Sequence, residues 1–75
     1  MKVTVKVIGG LAHRLGFSEQ ERDLPAGTTA GDVLAWLGIT DQRTVITTRN
    51  GSGIGPDEMI GEGDRILVSP PFSGG

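Results

Sequence analysis

The chain has 75 residues, 7 Lys+Arg against 9 Asp+Glu for a formal charge of −2, and no cysteine. A domain of this length buries only about 60% of the surface its unfolded chain exposes, which leaves little volume for an enclosed active site. Disulfides, thiolate metal sites and cysteine nucleophiles are excluded, and the near-balanced charge, without a like-charge run, gives no electrostatic footprint for a nucleic-acid partner.

The opening Met1-Lys2-Val3-Thr4-Val5-Lys6-Val7 alternates polar with apolar residues, the period-two pattern of a half-buried strand, predicted from Lys2 to Ile8. It lacks the apolar run of a signal peptide, and no segment approaches the roughly 20 apolar residues of a membrane span, so a cytoplasmic protein without a membrane partner is expected. Gly9-Gly10 interrupts the strand. Leu11 to Leu15 then reads as a turn or two of helix, with Leu11 and Leu15 on its inner face, stopped at Gly16. Glu19 to Leu24 is polar, has no internal breaker and is closed by Pro25-Ala26-Gly27, which suits an edge strand whose charges discourage strand addition.

Thr28 or Thr29 caps the main helix, in which Ala30, Val33, Leu34 and Leu37 recur at i, i+3, i+4 and i+7 up to Gly38. Thr29 and Asp32 have capping-box spacing. Trp36 lies roughly 110° around the helix from the centre of the apolar stripe, so it flanks the core as a half-buried packing residue or contacts a partner. Val45 to Arg49 is a β-branched strand, Asn50-Gly51 suits a tight hairpin turn, and Gly53-Ile54-Gly55 begins the return. After Pro56-Asp57-Glu58, Met59 and Ile60 are expected to tuck into the core, and Gly61-Glu62-Gly63-Asp64 turns into a last strand, Arg65 to Ser69.

This order predicts an α+β domain over residues 1–69: a mixed sheet of four to five strands with one main helix packed across one face. Placing the first and last strands side by side at the centre gives the two best apolar strands the deepest burial, which is the β-grasp arrangement. The expected core is Val3, Val5, Val7, Leu24, Val33, Leu34, Leu37, Ile46, Ile66 and Val68.

Residues 70–75 form an expected flexible tail. Pro70 and Pro71 end the sheet because neither has an N–H to donate, and Phe72-Ser73-Gly74-Gly75 finishes on two residues without side chains. An extended tail ending in glycine suits a carboxylate threaded into another protein's active site; the plain alternative is a frayed end. Elsewhere, Gly51-Ser52-Gly53-Ile54-Gly55 resembles part of a phosphate loop, but Pro56 stands where the third glycine belongs and no helix follows. His13 has no second histidine or cysteine at ligand spacing, and Asp57, Glu58, Glu62 and Asp64 sit in turns, where acidic residues are common for backbone reasons. No metal site and no bound cofactor are expected.

Taken together, Val3-Thr4-Val5-Lys6-Val7, the Leu24-Pro25-Ala26-Gly27-Thr28-Thr29 lead into Asp32-Val33-Leu34, Asn50-Gly51, Gly63-Asp64 and the ending Pro70-Pro71-Phe72-Ser73-Gly74-Gly75 resemble the MoaD/ThiS family of sulfur carriers. The similarity is strongest to the small subunits of molybdopterin synthase, which commonly end in a Pro-Pro-x-Ser-Gly-Gly string. The resemblance implies a ubiquitin-like β-grasp fold and a carrier that is not itself an enzyme. It also implies an activating enzyme that uses ATP to adenylate the Gly75 carboxylate, and a sulfurtransferase that replaces AMP with sulfur. The resulting thiocarboxylate would donate its sulfur to a molybdenum or tungsten pterin while Pro71, Phe72, Ser73 and Gly74 insert into the synthase large subunit. Gly9-Gly10 and Phe72 depart from the family pattern, leaving open a thiazole-forming role or another small metabolite as acceptor. Two further readings remain open: a ubiquitin-like modifier that joins Gly75 to a lysine amine, and a non-covalent β-grasp interaction domain.

Overall fold

The computed structural model describes residues 1–41 and 44–70. Its elements are β1 (Lys2–Val7), α1 (Gly10–Leu15), β2 (Glu19–Asp23), α2 (Ala30–Trp36), β3 (Ile46–Arg49), β4 (Ser52–Gly53) and β5 (Arg65–Ser69). The strands form one sheet in the order β2-β1-β5-β3-β4. β1 and β5 are parallel at the centre, with Val5 opposite Ile66 and Val7 opposite Val68, and every other pairing is antiparallel. This is the mixed α+β sheet expected from the sequence, a β-grasp with the first and last strands adjacent. Among the described residues no helix is long and apolar enough to cross a membrane.

The alternation along β1 and β5 divides the sheet into a buried face and an open one. Val3, Val5, Val7, Ile66 and Val68 are almost fully buried and meet Val33, Leu34 and Leu37 of the α2 segment in one apolar cluster. Leu24 packs at its margin, half-buried. α1, six residues long, adds Leu11 to the cluster and sets Leu15 against it before Gly16, at φ 85°, ends the helix. β2 lies at the sheet edge, as its charges suggest.

Both ends of α2 are closed by local chemistry. At the N-terminus the Asp32 amide donates to Thr29 Oγ1 at 3.1 Å and the Thr29 amide donates to Asp32 Oδ2 at 3.0 Å, a reciprocal capping box. Thr28 faces inward, its hydroxyl donating to the Pro25 carbonyl at 2.7 Å. At the C-terminus Gly38 takes φ 81°, its amide donating to the Ala35 carbonyl and the Ile39 amide to the Leu34 carbonyl, the two bonds of a Schellman motif. That motif turns Ile39 into the core, a buried residue the helical period does not reveal because it lies beyond the helix end.

Two expected core residues are outside it. Ile46 is 48% exposed. Its register partner is Ser69, whereas Thr47 pairs with Val68, so Ile46 falls on the open face. The run Val45-Ile46-Thr47-Thr48 has no alternation to fix its facing, and a one-residue shift exchanges the two faces. Val45 packs against the core instead. Met59 is 64% exposed: its backbone forms a bridge with Thr29 and its carbonyl accepts from Arg49 Nη1 at 2.7 Å, while the next residue, Ile60, turns inward.

The Asn50-Gly51 turn is the expected two-residue hairpin, with Asn50 at φ 52° and Gly51 at φ 89° between the paired Arg49 and Ser52. The return strand is only Ser52–Gly53, shorter and earlier than expected. Asn50 does more than turn the chain. Its backbone amide donates to the Arg65 carbonyl and its side-chain oxygen accepts from the Arg65 amide, both at 2.9 Å, while its Nδ2 donates to Asp64 Oδ1 at 3.1 Å. Asp64 Oδ2 in turn accepts from the Gly61 amide at 2.8 Å. This clasp fixes the start of β5.

The Gly61 amide, and then the Asn50 amide and the Arg49 charge, hold the Asp64 carboxyl below its ordinary range against the opposing effect of burial. Because the folded-state value is depressed, the stabilisation is present above the unfolded-state value of about 3.9 and is lost as pH falls through the folded-state value. Asp64→Asn is therefore expected to lower stability at neutral pH and to flatten its decline below about pH 4, measured by urea unfolding across pH. Leu34 is 3% exposed at the centre of the helix–sheet contact. Leu34→Ala should cost about 2 to 5 kcal/mol, and an unchanged unfolding midpoint would show that α2 packs by another face.

Candidate functional site

The chain leaves the sheet at the end of β5, and the parallel β1–β5 pairing determines where. Ser69 and Pro70 follow the buried Val68 directly, and Pro70 is half-buried against the end of β1. Gly9 stands there at φ 69°, a backbone angle that favours glycine, and a Cβ added to it would make ordinary contact with Pro70 Cγ at 3.5 Å. Pro70 also lines a small recess of about 200 Å³ with Gly10, Leu11, Arg14, Thr44 and Val45.

The reactive residue expected from the sequence, Gly75, and the inserting residues Pro71, Phe72, Ser73 and Gly74 lie outside the described residues. Covalent geometry limits them all the same, since five residues beyond Pro70 span at most about 18 Å. If Gly75 is to react in a partner's active site, it must do so within that distance of Pro70.

Beside the exit lies a feature that sequence patterning did not single out. The open face of the sheet holds a groove of about 540 Å³ between β1, β5 and β3, with Ile8 and Leu67 as apolar lining, Lys6 and Arg65 as cations, and the Asn50-Gly51 turn at the far end. Ile8 is 41% exposed, and its amide donates to the Val68 carbonyl at 3.3 Å, which places it at the same end of the sheet as Pro70. The signal was present in the alternation: residues between the buried valines of β1 and between Ile66 and Val68 of β5 must share the opposite face.

The other candidates stay apart from this face. Trp36 flanks the core as expected, 40% exposed, with the Arg22 guanidinium carbon 4.4 Å from its ring centroid and Phe17 at 6.2 Å. Arg22 pairs with Val3, so the cation–π contact lies on the helix side of the sheet and ties the β2 edge to α2. His13 is exposed on α1. Glu58 is committed to structure, Oε2 accepting from the Gly55 amide at 2.8 Å and Oε1 pairing with Arg49 at 3.4 Å. Among the described residues there is no cluster of His, Asp or Glu that could hold a metal ion.

Known structures share this architecture. A putative molybdopterin converting factor subunit 1 from Pyrococcus furiosus is 24% identical, with a TM-score of 0.82 over 96% of this chain and 99% of that one. Small archaeal modifier protein 1 of H. volcanii is 22% identical, with a TM-score of 0.79 over 95% and 98%. Subunit 1 of the molybdopterin-converting factor of Helicobacter pylori 26695, solved in a complex of subunits 1 and 2, is 18% identical with a TM-score of 0.67 over the whole of both chains. At these identities the likeness is one of fold. The model of the ThiS family, in contrast, matches residues 5–75, from the first strand to the terminal Gly74-Gly75, and the chain belongs to that family of ubiquitin-fold sulfur carriers.

Proposed function

We propose that this protein carries sulfur as a thiocarboxylate on Gly75 and donates it in cofactor biosynthesis, with a molybdenum or tungsten pterin as the acceptor. The observation that carries this reading is the family match, which runs through Gly74-Gly75 at the end of the chain. The fold supports it: among the described residues the last strand brings Val68 into the core and ends at Ser69, and Pro70 lies beside Gly9 at the sheet's end.

The chemistry follows from the weakness of a carboxylate as an electrophile. In the proposed sequence an activating enzyme lets the Gly75 carboxylate attack the α-phosphorus of ATP, and pyrophosphate leaves. The acyl adenylate is then open to a nucleophilic sulfur from a sulfurtransferase persulfide, which attacks the acyl carbon as AMP departs. A thiol cleaves the remaining S–S bond and leaves the thiocarboxylate on Gly75. The chain has no cysteine, so every sulfur in this sequence comes from outside. Its own contribution is presentation: a narrow peptide with no side chain at its last two positions, held on a rigid domain. A synthase large subunit supplies the acceptor site, so the carrier is a non-catalytic subunit in this reading. The pairing of subunits 1 and 2 in the Helicobacter pylori complex supports a partner of that kind.

A second reading is conjugation, in which a lysine amine takes the place of sulfur at the same adenylate. The fold shared with a small archaeal modifier protein favours it.

Incubation with the cognate activating enzyme, ATP and a sulfur donor should raise the intact mass by the difference between one sulfur and one oxygen, located on the C-terminal peptide. Deleting Gly75 should abolish that product and leave the unfolding midpoint unchanged. Full pathway activity from the truncated chain, with no adenylate or thiocarboxylate formed on the intact one, would overturn the carrier reading. Isopeptide-linked adducts without thiocarboxylate would replace it by conjugation.

A further inference from the structure

Asn50 is the single asparagine of the chain, and Gly51 follows it. The pair is a chemical site as well as a turn. A Gly51 nitrogen that has lost its proton is a nucleophile, and the side-chain carbonyl carbon of Asn50 is the electrophile next to it in the chain. Gly51 has no side chain to obstruct an attack, both residues are exposed, and nothing lies within 4 Å of a Cβ built on Gly51.

The clasp at the start of β5 opposes this reaction. The Asn50 side chain must swing over the Gly51 nitrogen before a ring can close. Its Oδ1, however, accepts from the Arg65 amide at 2.9 Å, and its Nδ2 donates to Asp64 Oδ1 at 3.1 Å. The main chain is held too, because the Asn50 amide donates to the Arg65 carbonyl at 2.9 Å with φ at 52°.

We propose that Asn50 is a deamidation site guarded by its bonds to Asp64 and Arg65, and that the reaction, once it has occurred, keeps the clasp from closing. First the Gly51 nitrogen bonds to Asn50 Cγ, the Cγ–Nδ2 bond breaks, and ammonia leaves with the proton that Gly51 gave up. Water then opens the cyclic imide, its hydroxyl going to a carbonyl carbon and its hydrogen to the Gly51 nitrogen. Opening at Cγ restores the main chain with an aspartate at position 50. Opening at the main-chain carbonyl gives the isomer whose chain runs through Cβ and Cγ. No electrons change hands in either case.

The direct product puts a carboxylate oxygen where Nδ2 stood. A hydrogen bond to Asp64 Oδ1 thereby becomes a contact between like charges. Asp64 is not free to turn aside, since its Oδ2 accepts from the Gly61 amide at 2.8 Å. The isomer adds a main-chain atom to a two-residue hairpin turn that joins paired Arg49 and Ser52. Both products thus loosen the tie between the hairpin and β5. Nothing at Gly75 takes part in this chemistry, so its outcome and that of the carrier reading are separate.

The test follows the intact mass of the full chain, and the mass of the peptide carrying Asn50, in mildly alkaline buffer. The chain unfolded in urea should convert Asn50 about tenfold or more faster than the folded chain. Asp64→Ala, under conditions in which it stays folded, should convert about threefold or more faster than the parent. Leu34→Ala, likewise kept folded, weakens the core without touching the clasp and should follow the parent. The consequence is read on variants of the product: Asn50→Asp should lower the unfolding midpoint. Adding Asp64→Asn to it should recover most of that loss, because the exchanged pair re-forms the bond with donor and acceptor reversed.

Equal rates in the folded and unfolded chain, or an Asp64→Ala rate no higher than that of Leu34→Ala, would overturn the guarding role. An Asn50→Asp midpoint equal to the parent's, or one that Asp64→Asn lowers further, would overturn the lock against closing. If Asp64→Ala does not fold, the urea comparison and the exchanged pair decide the outcome.

Discussion

The parallel pairing of β1 with β5 is the constraint on which the remainder of the structure depends. It joins the first strand of the chain to the last described one, so all the intervening elements must fit within the connection between them. Parallel neighbours cannot be joined by a tight turn, and the connection here includes the helix that covers the pair. The pairing sets β1 between two strands, with Val5 opposite Gln20 on β2 and Ile66 on β5, and Val5, Val7 and Val68 are completely buried in a domain of only 75 residues. Because the two strands run the same way, the end of β1 and the end of β5 lie together, and Gly9 meets Pro70 there.

A core this small, in a chain without cysteine, has no disulfide to supplement it, and the polar interactions close backbone groups that the short elements leave open. α2 has seven residues, too few to be stable alone, yet its ends are satisfied by the capping box and the Schellman bonds while its apolar face is held by the sheet. The Asn50–Asp64–Gly61 clasp does the same for the start of β5, linking the hairpin turn to the loop before the last strand. Each of these devices joins residues a few positions apart or two neighbouring turns. Their role is to set the geometry in which the apolar face can pack; the larger stabilisation comes from the burial itself.

The division of labour between the two sheet faces follows from the same period of two. One face is spent on stability, and the other remains open with a graded surface: acidic at the β2 edge, basic along β1 and the start of β5, apolar beside the exit of the chain. The helix covers only one side. Among the described residues the open face lies beside the point where the chain leaves the sheet.

Much of this was legible in the sequence because it depends on local periodicity and on residues with strong backbone preferences. The alternation in β1, the i, i+3, i+4 and i+7 spacing of α2, its Thr29–Asp32 cap and the Asn50-Gly51 turn all require only neighbours a few positions away, and the carrier family was readable from the terminal Pro-Pro-x-Ser-Gly-Gly string together with those elements. Tertiary structure decided what local pattern leaves degenerate. A β-branched run such as Val45-Ile46-Thr47-Thr48 fits either facing, and only pairing with Ser69 and Val68 assigned Ile46 to the open side. Ile39 became a core residue through the helix-ending bonds, and Met59 was turned outward by its bridge to Thr29. The groove of Ile8, Lys6, Arg65 and Leu67 exists only because residues about sixty positions apart are brought side by side, and no period within a single strand records which other strand lies next to it.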